Sequence, residues 1–117
     1  MNIEPKQPTR KGPADWFTGD VYIDAIHTRK PEPSRMACGC VHFTPGARSR
    51  DGNVIAARPG QVVYTPPGEE HWHGAAPGTF MVHIALYEGT ADGDGATWLE
   101  HVTDEQYQAA ATATQTN

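Results

Sequence analysis

Of the six histidines in this chain, three fall in two neighbouring stretches whose spacing suits chemistry. The segment Pro66-Pro67-Gly68-Glu69-Glu70-His71-Trp72-His73-Gly74 turns on two prolines and a glycine and then presents His-Trp-His. On a β-strand alternate residues share a face, so His71 and His73 point one way and Trp72 the other. Residues 79–87 (TFMVHIALY) alternate as well: Phe80, Val82, Ile84 and Leu86 form an apolar face, and Met81, His83, Ala85 and Tyr87 form the opposite one. The intervening GAAPG suits a hairpin loop, which would gather His71, His73 and His83 on one side of a ribbon. A lone histidine on a half-buried strand is usually a hydrogen-bonded packing residue. Three beside an aromatic and a Pro-Pro-Gly turn point to a site for a metal, an anion or a catalytic proton, because neutral imidazole ligates metals and titrates near neutrality.

Other short strands must position these residues. Residues 1–13 are polar and proline-bearing and read as a flexible N-terminal arm, with Trp16 and Phe17 after it placed to plug one end of a sheet. VYIDAI (21–26) alternates with period two. HTRKPEPSR (27–35) is charged and proline-broken, hence a loop. Residues 36–43 read as a strand with Ala37, Gly39, Val41 and Phe43 on one face and Met36, Cys38, Cys40 and His42 on the other. Asp51-Gly52-Asn53 and Arg58-Pro59-Gly60 are turn signals, with VIAA between them and QVVYT (61–65) after them as strands. Residues 88–96 are acidic and glycine-rich, and WLEHV (98–102) reads as a closing segment. Thr103 is placed to cap a terminal helical turn, and residues 108–117 form a flexible C-terminal tail. Short strands between turns at intervals of about 8–12 residues mean an all-β sandwich or barrel.

A chain of 117 residues is one domain with a modest core, here residues 14–107. The net charge of −5 leaves no electrostatic footprint for nucleic acid. No run of eighteen apolar residues is present, which excludes a membrane-spanning helix. The N-terminus does not fit a secretory signal, so the expected compartment is the cytoplasm. Cys38 and Cys40 would project in parallel about 6.5–7 Å apart, a poor geometry for a disulfide, so free thiols are expected.

Four stretches, KGPADWFTG (11–19), FTPGAR (43–48), PGQVVYTPPGEEHWHGAAP (59–77) and EHVTDEQY (100–107), resemble small single-domain bacterial cupins of the manganese-dependent, hydroxynitrile-lyase-like group. The resemblance runs over nearly the whole chain and implies a jelly-roll β-barrel with a metal in its open mouth. It implies a carbon–carbon lyase of the hydroxynitrile type, with manganese or iron as Lewis acid. By the same matching His71 is the metal ligand, His73 and His83 face the substrate as proton-transfer groups, and Gly39, Val41 and Tyr87 line the pocket. A small-molecule substrate and a homodimeric or homotetrameric assembly are implied too.

The chain departs from the family at one place. Members continue after the FTPGAR turn with His-x-His-Pro-x-Gly-Gln, which supplies most of the metal ligands, and then a strand pair. Here GARSR runs straight into DGNVI. Two strands and a hairpin, on the order of 20–25 residues, are absent. Either the parent protein carries residues that this chain lacks, or the deletion is its own. A metal-poor cupin that binds a small molecule without catalysis is therefore the alternative expectation. His42, on the other face of its strand, is not recruited as a ligand.

Overall fold

The computed structural model describes residues 1–28, 34–49, 56–89 and 99–115. Four antiparallel strands, β1 (Arg10–Lys11), β2 (Val21–His27), β3 (Met36–Phe43) and β4 (Met81–Glu88), lie in the order β1-β2-β3-β4. One helix, α1 (Asp104–Gln115), follows. The period-two alternation fixes the faces. Val21, Phe43 and Met81 lie level with one another across the sheet, as do Ile23, Val41 and His83, and these rows make the inner face. Tyr22, Asp24, His42, Cys40, Cys38, Val82, Ile84 and Leu86 make the outer face.

One end of the inner face is closed by a small core of Phe17, Val21, Phe43, Ala47 and Ala75, with Trp16, Ile23, Val41 and Met81 packed around it. Phe17 meets Phe43 edge to face at 5.9 Å, so the aromatic pair at the arm's end does plug the sheet. A second cluster joins Trp72, Val102 and Tyr107. It docks α1, whose start is a reciprocal capping box: Gln106 N–H donates to Thr103 Oγ1 at 3.1 Å, and Thr103 N–H donates to Gln106 Oε1 at 2.9 Å.

Arg48 ties the two clusters together. Its backbone bridges Thr18 on one side and Gly74 on the other. Its buried side chain donates Nε–H to the Val102 carbonyl at 3.3 Å, pairs with Asp104, and lies 4.7 Å from the Tyr107 ring centre. Tyr107 in turn donates its hydroxyl to the Ala75 carbonyl at 2.6 Å.

Several expectations are corrected. The hairpin between the histidine segment and β4 does not form; β4 pairs with β3 over all eight of its residues, and residues 71–73 join no named strand. A turn of the right length marks where a chain can reverse, but the partner is chosen by which face can be buried. Residues 61–65 carry strand-like alternation without a ladder, and Val62 and Tyr64 are exposed. Phe80, Val82, Ile84 and Leu86, expected to pack, are exposed. Arg10–Lys11 pair with β2 inside the stretch read as an arm, and α1 runs through most of the stretch read as a tail. The DGN turn, Val54, Ile55 and Trp98 lie outside the described residues.

Candidate functional site

β3 and β4 provide the floor of the site. Val41 faces His83 across the ladder and Gly39 faces Ala85, so Gly39, Val41 and His83 share the inner face. Tyr87 shares it too, but lies four residues beyond His83, about 13 Å along the strand. It borders a shallow cleft with Ser34, Arg35, Met36, Leu86 and Glu88, which the histidines do not line. Tyr87 therefore stands apart from the imidazoles.

The wall comes from the histidine segment. His73 stacks on His83 with ring centres 5.0 Å apart and planes 22° apart, and His83 stacks on Phe43 at 5.7 Å and 26°. His71 meets His73 edge-on at 4.9 Å. The three imidazoles thus do come together, as a row with His73 in the middle. Trp72 points away into the helix-docking cluster, 6.2 Å from Tyr107, as the alternation requires.

Ser49 positions the centre of the row. His73 N–H donates to Ser49 Oγ at 2.9 Å, and Ser49 N–H donates to the His73 carbonyl at 2.8 Å. Gly74 permits the close approach: a Cβ there would sit 2.8 Å from Trp72 Cζ3 and 3.3 Å from the Ala47 carbonyl. Neither Ser49 nor Arg48 was singled out from sequence, since a Ser and an Arg after a turn glycine normally signal solvent. Their burial is set by tertiary contacts with residues 73–75 and 102–107, which no local pattern encodes.

Hydrogen bonds fix two tautomers. His71 Nδ1 lies 3.1 Å from the Glu69 carbonyl and His83 Nδ1 lies 3.4 Å from Met81 Sδ. Both partners only accept, so each Nδ1 carries the hydrogen and each neutral ring keeps its lone pair on Nε2. Burial, then the neighbouring His83 and His71, pull His73 down from 6.5 to about 4. Burial lowers His83 in the same direction. His73 is thus an uncharged hydrogen-bonding group at neutral pH and a weak base.

Among the described residues the donor set does not fit a manganese centre. Imidazole lone pairs lie in the ring plane, so nearly parallel stacked rings aim them side by side rather than at a shared point about 2 Å from each nitrogen. Among the described residues no three His, Cys, Asp or Glu side chains are arranged to hold a metal. Of the three imidazoles in the row, His71 alone offers a suitably fixed nitrogen, because a ligating histidine generally has its other N–H held by a carbonyl or carboxylate. His42 is engaged on the outer face, 3.1 Å from Asp24. Cys38 and Cys40 are free.

No protein-family model matches the chain. A crystal structure of a cupin-like protein from Thermotoga maritima superposes with a TM-score of 0.77 at 31% identity, over 94% of this chain and 97% of that one. A protein of Granulicella tundricola named (R)-mandelonitrile lyase is 44% identical over 124 residues, covering 87% of this chain and 93% of the relative. The chain is a small cupin of the hydroxynitrile-lyase-like group. Its all-β fold is that of the cupins. The share of this cupin that aligns is about 102 of its 117 residues, so about 22 of the 124 aligned positions have no counterpart in it. That shortfall matches in size the strand pair and motif absent after the FTPGAR turn. Among the described residues no helix is long and apolar enough to cross a membrane.

Proposed function

We propose that this cupin binds a cyanohydrin, or the aldehyde from which one is made, against the His73–His83 row, as a small-molecule protein of the hydroxynitrile-lyase type. One observation carries the reading: two half-buried imidazoles in a stacked row, His73 on His83 and His83 on Phe43, with His73 uncharged at neutral pH. Neutral rings of this kind give and take hydrogen bonds with a hydroxyl or carbonyl. The likeness to a protein named (R)-mandelonitrile lyase supports that ligand class.

Cleavage of the carbon–carbon bond asks more. The hydroxyl proton must be removed as cyanide leaves, and a base near 4 does this poorly at neutral pH. We therefore expect mandelonitrile or benzaldehyde to shift the imidazole resonances of His73 and His83, while cleavage stays at the buffer rate with or without added manganese. No shift on either histidine would overturn the reading.

A second reading, a metal-dependent lyase, is favoured by the Glu69 tie that leaves His71 Nε2 free. Manganese or iron would then need its remaining ligands from outside the described residues. Manganese-stimulated cleavage abolished by His71→Ala would select this reading.

A further inference from the structure

Taking the imidazole row as the cyanohydrin site inferred above, we propose that Met81 is a specificity-determining residue of that site. Its thioether keeps the hydrogen of His83 on Nδ1, so the row offers a ligand a bare Nε2 and selects a hydroxyl over a carbonyl. A neutral imidazole carries one hydrogen, and the nitrogen that bears it decides whether the other one accepts or donates. A cyanohydrin has a hydroxyl to donate, whereas its aldehyde has a carbonyl that only accepts. Whatever sets the tautomer of His83 therefore sets which of the two this ring can hold.

Met81 acts from two residues back on the same face of β4. His83 Nδ1 lies 3.4 Å from Met81 Sδ, and among the described residues that sulfur is its one hydrogen-bond partner. A thioether accepts weakly and cannot donate. Both partners are held in place. Met81 stands level with Phe43 and packs against the core of Phe17, Val21, Phe43, Ala47 and Ala75. The ring of His83 is stacked on Phe43 at 5.7 Å and on His73 at 5.0 Å. Turning it over would set a carbon-bound hydrogen against the sulfur and lose the bond. Burial lowers the pKa of His83 from its ordinary 6.5, so at neutral pH the ring is uncharged and its tautomer matters.

The nitrogen left for a ligand has small neighbours. With Nδ1 turned back along β4 towards Met81, Nε2 lies on the side of the next inner-face row, Ala85 on β4 and Gly39 opposite it on β3. Neither carries more than a methyl group. A Cβ built on Gly39 would find, beyond its chain neighbours, only the Asp24 carbonyl within 4 Å, at 3.6 Å. A hydroxyl that comes in over this row can donate to Nε2. A carbonyl in the same place would set its lone pairs against that of the nitrogen. His73 is held by Ser49 through its backbone N–H and not through Met81, so a change at Met81 isolates the part played by His83.

The test compares the wild type with Met81→Leu, which conserves volume and apolar contact but has no acceptor. Long-range proton–nitrogen correlation spectra of the free protein read the tautomer of His83. Its resonances then follow the binding of benzyl alcohol and of benzaldehyde, which share a phenyl group and differ in hydroxyl and carbonyl. Wild-type His83 is expected to carry its hydrogen on Nδ1, and the wild type to bind benzyl alcohol about fivefold more tightly than benzaldehyde. In Met81→Leu the hydrogen should move to Nε2 and the preference should vanish or reverse. A hydrogen on Nε2 of wild-type His83 overturns the proposal, whether or not the variant folds. Equal affinity of the wild type for the two probes, or a preference unchanged in folded Met81→Leu, overturns it while leaving the cyanohydrin reading in place. If neither probe binds, that reading falls and the proposal with it. If Met81→Leu does not fold, the tautomer and the preference of the wild type decide the matter.

Discussion

His73 is held between two other imidazoles and largely out of water, and its protonation therefore bears on folding. The unfolded chain takes up a proton at this side chain near 6.5, whereas the folded chain resists until about 4. Below 6.5 the unfolded state thus binds the extra proton, and stability falls as pH drops through this window. Above 6.5 the contribution is fully present. At ~1.4 kcal/mol per unit the loss reaches about 3 kcal/mol by pH 4, and His83, lowered by burial, acts in the same sense. Urea midpoints measured from pH 7.5 down to 4.5 should fall steeply for the wild type and less so for His73→Gln. Parallel slopes would mean that the ring is solvated in the folded protein.

At the scale of elements, the site depends on the strap of residues 47–49 as much as on the strands. The Ala47 carbonyl accepts from Ala75 N–H at 2.9 Å, Arg48 bridges Gly74, and Ser49 holds His73. Gly74→Ala would drive a methyl group into Trp72 and the Ala47 carbonyl. We expect a loss of about 1–3 kcal/mol, read as a lower thermal midpoint together with altered tryptophan fluorescence. Much of this architecture was legible in advance. Alternation alone gave β3 to the residue and β4 within two residues, and it separated His83 from Ile84 and Trp72 from its flanking histidines. It could not give the partner of β4, because a period of two assigns faces and leaves neighbours open. The GAAPG turn suggested the nearest strand in sequence, yet the buried row of Val21, Phe43 and Met81 pairs β4 with β3, some forty residues back. Residues 61–65 show the converse: their pattern suits a strand, but a ladder also requires a neighbour. Ser49 was illegible because its burial follows from contacts that form only once His73 has arrived.

For the whole molecule, the geometry of the imidazole row bears on whether the fold needs a metal. A ligand that binds only the folded state raises its stability by mass action, so a structural ion would reveal itself on removal. We expect a chelator to leave the thermal midpoint unchanged, and stoichiometric manganese to add nothing measurable. A clear fall on chelation would mean that ligands outside the described residues complete a site around His71. Arg48 has a different kind of influence, on the order in which the molecule can assemble. Its side-chain partners Val102 and Asp104 lie 54 and 56 residues further along the chain, and Tyr107 lies beyond them. During synthesis the guanidinium is therefore made long before anything exists to bury it against. The strap, and the histidine it positions, cannot settle until α1 has been translated and returns to it. Closure over such separations is slow compared with helix or hairpin formation. The histidine row is thus among the last parts of this protein to take shape, although the strap that positions it is made long before α1.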